Sequence, residues 1–77
     1  MRVFLEAFDD QTDLLAEDFD ITNIGLDTIA EILGVEVDEL ALGYDLTDRQ
    51  LMRICKLAGI EPNQGGRSFQ VGGAADE

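Results

Sequence analysis

The chain has no histidine and no tryptophan, and only one cysteine and one proline in 77 residues. Without histidine, Ser-His and Cys-His nucleophilic catalysis is excluded. Zinc and transition-metal sites draw on His and Cys clusters, so one Cys cannot supply them. The lone Cys55 cannot close an internal disulfide, which fits a reducing compartment. It reads as a small buried apolar residue. No apolar run approaches the roughly 20 residues of a membrane helix. The opening MRVFLEAFDD has no apolar core of signal-peptide length before its first acids. A soluble, cytoplasmic protein with no membrane partner is expected.

The deepest absence is of positive charge. From Val3 to Asp48 there are fourteen acidic residues and not one Lys, Arg or His, and four of the five cations (Arg49, Arg53, Lys56, Arg67) come later. The net charge of -12 is therefore concentrated in the first two thirds of the chain. Such crowding costs self-repulsion and builds a field that attracts cationic surfaces. The hydrophobic fraction of 45% is too high for an acidic disordered tail and fits one small globular domain.

Period-two alternation over residues 2–8 predicts a strand, with Val3, Leu5 and Ala7 on one face and Phe4, Glu6 and Phe8 on the other. The turn chemistry of residues 9–13 leads into a second apolar run, residues 14–19, so a hairpin is expected. Asn23 is placed to cap a helix with Leu26, Ile29, Ala30, Ile32 and Leu33 on one face and Gly34 as its stop. Residues 35–40 read as a linker with room for a helical turn. Leu40, Leu42, Tyr44 and Leu46 alternate as in a third strand. Thr47 and Gln50 form a capping-box pattern ahead of a second helix ended by Gly59. The expected fold is α+β: a small sheet of three or four strands with two helices packed on one face, in the order β-β-α-β-α plus a tail. One compact domain is expected over residues 1–60. Residues 61–77 are expected to be a Gly-rich irregular or flexible tail, with 68–71 able to add a short edge strand.

The acids do not follow a metal-binding pattern. An EF-hand loop begun at Asp18 would need Gly at Asn23 and Glu at Ile29; one begun at Asp9 would need them at Leu14 and Asp20. There is no phosphate-binding GxxxxGK[ST] loop. No catalytic residue, metal or cofactor is assigned, and a non-enzymatic binding protein is expected.

Three resemblances bear on function. The length and acidity are similar to those of acyl carrier proteins, but Ile24-Gly25-Leu26 stands where that family has its Asp-Ser-Leu motif, and the only serine is Ser68. Residues 28–40 resemble the last helix and turn of some helix-turn-helix repressors. DNA binding rests on cations that this segment lacks, so direct nucleic-acid binding is not expected and an antitoxin or regulator fragment is the weaker alternative. The order Gly25 to Gly34, an acidic linker, then Tyr44-Asp45-Leu46-Thr47 leading into a Gln50-containing helix resembles small bacterial immunity proteins of contact-dependent and other polymorphic toxin systems. It spans roughly residues 3–58 as a layout of elements. It implies a cytoplasmic inhibitor that binds one cognate toxin, often a basic nuclease, and covers its active site. A phage or plasmid DNA-mimic inhibitor of the anti-restriction or anti-CRISPR type uses the same electrostatics and stays open as an alternative.

The partner-binding surface is expected among Asp9, Asp10, Asp13, Glu17, Asp18 and Asp20, joined by Glu36, Asp38 and Glu39, because these acids are dense and have no local cations. Phe69 and Tyr44 are candidate aromatic anchors, with Tyr44 the more easily absorbed by the core.

Overall fold

The computed structural model describes residues 1–61 and 65–74. Strand β1 (Arg2–Asp9) pairs with β2 (Leu15–Asp20) as the expected hairpin. Helix α1 (Leu26–Leu33) follows, then a 3-10 segment (Val37–Leu42), the two-residue strand β3 (Tyr44–Asp45), helix α2 (Asp48–Ala58) and strand β4 (Arg67–Ala74). The sheet order is β2-β1-β4-β3, with every neighbouring pair antiparallel. The α+β fold with two helices on one face of a four-stranded sheet is therefore present.

The core lies between the sheet and the helices. Val3, Leu5 and Ala7 are fully buried and meet Ile29 and Ala30 of α1, Leu51, Ile54 and Cys55 of α2, Leu40, and Phe69 and Val71 of β4. All the sheet's contributions come from one alternate set of residues, so helices cover one face and leave the other open. Local signals set the boundaries. Thr47 Oγ1 accepts from Gln50 N at 3.2 Å and Thr47 N donates to Gln50 Oε1 at 2.9 Å, the reciprocal capping box. Gly34 and Gly59 end the helices in the left-handed region.

Four expectations need correction. Asn23 does not cap α1; it sits in a 3-10 turn (Thr22–Ile24), and Gly25 holds the N-cap position. The strand expected over residues 40–46 shrinks to Tyr44–Asp45, because Val37–Leu42 winds into 3-10 helix. Glu36 and Glu39 form a capping box for that segment; Leu40 enters the core and Leu42 is left 74% exposed, so the leucine alternation was not a strand face. The expected tail contains an eight-residue strand, β4, and it is interior rather than an edge, lying between β1 and β3. Of the rest of that expected tail, residues 62–64 and 75–77 lie outside the described residues. Phe69 is 8% exposed within the core, so it is no surface anchor.

The glycines of β4 serve close approach rather than flexibility. A Cβ at Gly73 would stand 3.1 Å from Ala41 Cα and 3.2 Å from Ala41 N, so the 3-10 segment packs directly on this strand.

Candidate docking surface

Cross-strand partners share a face, so the register defines the uncovered side of the sheet. One row crosses all four strands. Asp18 of β2 pairs with Glu6 of β1, Glu6 with Gln70 of β4, and Gln70 with Asp45 of β3. At about 4.8 Å between strands, the row is about 14 Å long. It holds three carboxylates and one amide. Gln70 Nε2 donates to Glu6 Oε1 at 3.2 Å, and no ion pair to Glu6, Asp18 or Asp45 occurs among the described residues. Like charges directly opposite, as at Glu6 and Asp18, oppose pairing; burial on the other face outweighs them.

An aromatic ring flanks the row on each side. Phe4 and Phe8, both half-buried, stand two residues before and after Glu6 on β1. Gly72 keeps the ground beside Glu6 clear, since a Cβ there would come within 2.6 Å of Glu6 Oε1. The face already receives a cation of its own: the Arg2 guanidinium carbon lies 6.0 Å from the Phe4 ring centre, and Arg2 Nε donates to Asp20 Oδ2 at 3.1 Å.

The expected acids fall into distinct places. Asp18 and Asp20 lie on the open face, opposite Glu6 and Phe4. Asp10 joins them at one end, where its Oδ1 accepts from the Ser68 hydroxyl and its N–H donates to Gly66 O. Asp9 faces inward on the hairpin turn: its Oδ1 accepts from Gln11 N at 2.8 Å and Thr12 N at 3.2 Å. Asp13 takes the turn's left-handed position at φ 59°, a conformation that Asp tolerates better than most residues. Glu17 is paired with Arg67 on the helix side of the sheet, as its partner Ala7 faces the core. Glu36, Asp38 and Glu39 also belong to the helix side, carried by the segment that packs on Gly73. The structure thus separates these three from the open-face acids. Tyr44 is half-buried, and its hydroxyl donates to Glu39 Oε2 at 3.5 Å. Desolvation, followed by the Glu39 charge, pushes its phenol up.

Glu6, Asp45, Phe4 and Phe8 were not picked out from the sequence. The signal for three of them was present, since Phe4, Glu6 and Phe8 are the strand face opposite the core. What was missing was the knowledge that no helix among the described residues covers it.

Asp20 is held by three hydrogen bonds at once. The Thr22 hydroxyl donates to its Oδ1 at 2.6 Å, Arg2 binds its other oxygen, and Thr22 N–H adds a third bond. The Thr22 hydroxyl bond, then the Arg2 bond, hold its pKa at about 2, below the ordinary 3.8. A depressed carboxylate contributes stability that is whole above pH 3.8 and is lost as pH falls through about 2. In a carboxyl-carbon NMR titration, Asp20 is expected to show a midpoint near 2, and Thr22→Val to raise it toward 3.8. A wild-type midpoint already at 3.8 would contradict the geometry.

The remaining chemistry is sparse. Cys55 is buried, and desolvation pushes its thiol up, away from reactivity. A hollow of about 320 Å³ beside the start of α2 is lined by Asp45, Leu46, Asp48, Leu51, Arg67, Ser68 and Phe69. Among the described residues, no group of three or more His, Cys, Asp or Glu could hold a metal ion. Among them, too, no helix is long and apolar enough to cross a membrane.

The family described as "Domain of unknown function (DUF7683)" matches residues 2–72, and the chain belongs to it. Neither the curated proteins nor the solved structures give a match.

Proposed function

We propose that this member of the DUF7683 family is a non-catalytic binding protein that docks a cationic partner protein on its open sheet face, as an immunity protein docks and silences a basic toxin nuclease. The observation that carries this reading is the carboxylate row Asp18–Glu6–Gln70–Asp45, with Phe4 and Phe8 on either side. Nucleases hold phosphates with Lys and Arg. A rigid sheet that presents carboxylates about 5 and 10 Å apart along one row can take those cations and exclude the substrate. The surrounding field of a -12 chain accelerates encounter. Affinity then rests on a few desolvated anchors, and aromatic side chains between charges suit that role. Such an inhibitor would act in the cytoplasm of the cell that makes the toxin.

The test is capture with the tagged chain from its source cell at low and high salt, followed by an activity assay. The expected result is a basic protein, retained at low salt, whose nuclease activity stops when the chain is added in equal amount. Duplex DNA should not displace the chain from unrelated basic proteins; if it does, the chain is a DNA mimic. A captured partner that is acidic, or whose activity the chain leaves intact, would end the proposal.

A further inference from the structure

The open face has a counterpart on the same chain. Three of the five cations, Arg49, Arg53 and Lys56, lie on exposed positions of α2, and none has an ion-pair partner among the described residues. At 3.6 residues per turn they fall within an arc of about 60°. Met52 stands about 60° to one side of Arg49 and Leu57 about 80° to the other. Both are large apolar residues left in solvent, 66% and 53% exposed. The buried residues Leu51, Ile54 and Cys55 hold the opposite side of the helix in the core. The outward face of α2 is therefore apolar, cationic, apolar in cross-section. The open sheet face is aromatic, anionic, aromatic.

The dimensions agree as well. Arg49 and Lys56 are about 10 Å apart along a helix axis. Glu6 and Asp45 are two strand spacings apart, about 10 Å. A helix laid along the carboxylate row would set Arg49 and Lys56 over Glu6 and Asp45, with Met52 and Leu57 reaching toward Phe4 and Phe8.

We propose that α2 of one copy docks across the open sheet face of a second copy, head to tail. The surfaces differ, so the contact is heterologous and leaves one of each kind free at the two ends, which allows short chains. Two chains of charge -12 repel each other, so the association is weak and concentration-dependent. That repulsion is screened over about 8 Å at physiological salt, whereas the docked charges are in contact. The proposal uses the face assigned above to the cationic partner, so self-association and partner binding compete.

Sedimentation velocity over a wide concentration range at physiological salt tests it, with two surface variants that remove the charges and keep polar side chains in their place. E6Q/D18N/D45N neutralises the sheet face, and R49Q/R53Q/K56Q neutralises the helix. The wild type is expected to shift to larger species as concentration rises, while each variant alone stays monomeric. An equal mixture of the two is expected to form a dimer and nothing larger, because only one intact face and one intact helix can meet. A wild type that stays monomeric throughout overturns the proposal, as does a mixture that stays monomeric or a sheet-face variant that still associates. R49Q/R53Q/K56Q should bind the captured partner undiminished. This separates a failure here from a failure of the docking face itself.

Discussion

A chain cut after Glu61 is expected to be unfolded. β4 runs against β1 for its whole length, from Arg2 opposite Ala74 to Asp9 opposite Arg67, and among the described residues it is the sole neighbour of β3. Removing it leaves one hairpin and a two-residue strand, and an isolated hairpin is marginal in water. It also takes Phe69 and Val71 out of the core and uncovers one edge of Leu5 and Ala7. Burial of side chains of this size is worth about 1.5–3 kcal/mol each, against a total stability of about 5–15 kcal/mol that is smallest in short domains. Far-UV circular dichroism and amide dispersion in a proton–nitrogen NMR spectrum measure the outcome. Native-like dispersion in the shortened chain would mean β4 is dispensable. A point variant separates chain length from packing. Phe69→Ala is expected to cost about 3–5 kcal/mol of stability, as a core residue rather than a binding anchor.

The reason the length and interior place of β4, beyond a short edge strand at 68–71, escaped a reading of the sequence is physical. The hairpin, the Gly34 and Gly59 helix ends, and the Thr47–Gln50 capping box are written in neighbouring residues, and each appears as expected. The pairing of β4 with β1 joins opposite ends of the chain, and nothing local announces it. Its glycines look like linker chemistry until Gly73 is seen against Ala41, and Gly72 against Glu6. The leucine alternation of residues 40–46 failed for a related reason: the Glu36–Glu39 box set a 3-10 segment, and Gly43 at φ 80° turned the chain out of it.

The density of acids was legible; their division of labour was not. Asp9 binds its own turn, which the spacing of residues 9–12 could have suggested. Asp10 and Glu17 are engaged by Ser68 and Arg67, side chains carried by β4 and unplaced until that strand is placed. The row through Glu6 and Asp45 exists only once the strand order is known.

Reversing that row is expected to produce the largest effect on partner association. E6K/D18K/D45K should slow association with the captured cationic partner at low salt by roughly 100-fold or more, since steered encounters reach about 10⁸–10⁹ M⁻¹s⁻¹ and unsteered ones about 10⁵–10⁶ M⁻¹s⁻¹. At high salt the gap should narrow, as the screening length shrinks to about 3 Å near 1 M. Net charge alone would slow encounter to some degree, so the control must change it equally elsewhere. D27K/E31K/D38K does so at exposed positions on α1 and the 3-10 segment, on the helix side of the molecule. Stopped-flow association rates for both variants decide the matter. A large loss confined to the sheet-face variant places the docking surface on the uncovered strands. Equal slowing by the two would mean that only the global field acts and that the row has no address. If the helix-side variant were slower, the interface would belong to Glu36, Asp38 and Glu39, and the open face would be merely solvated.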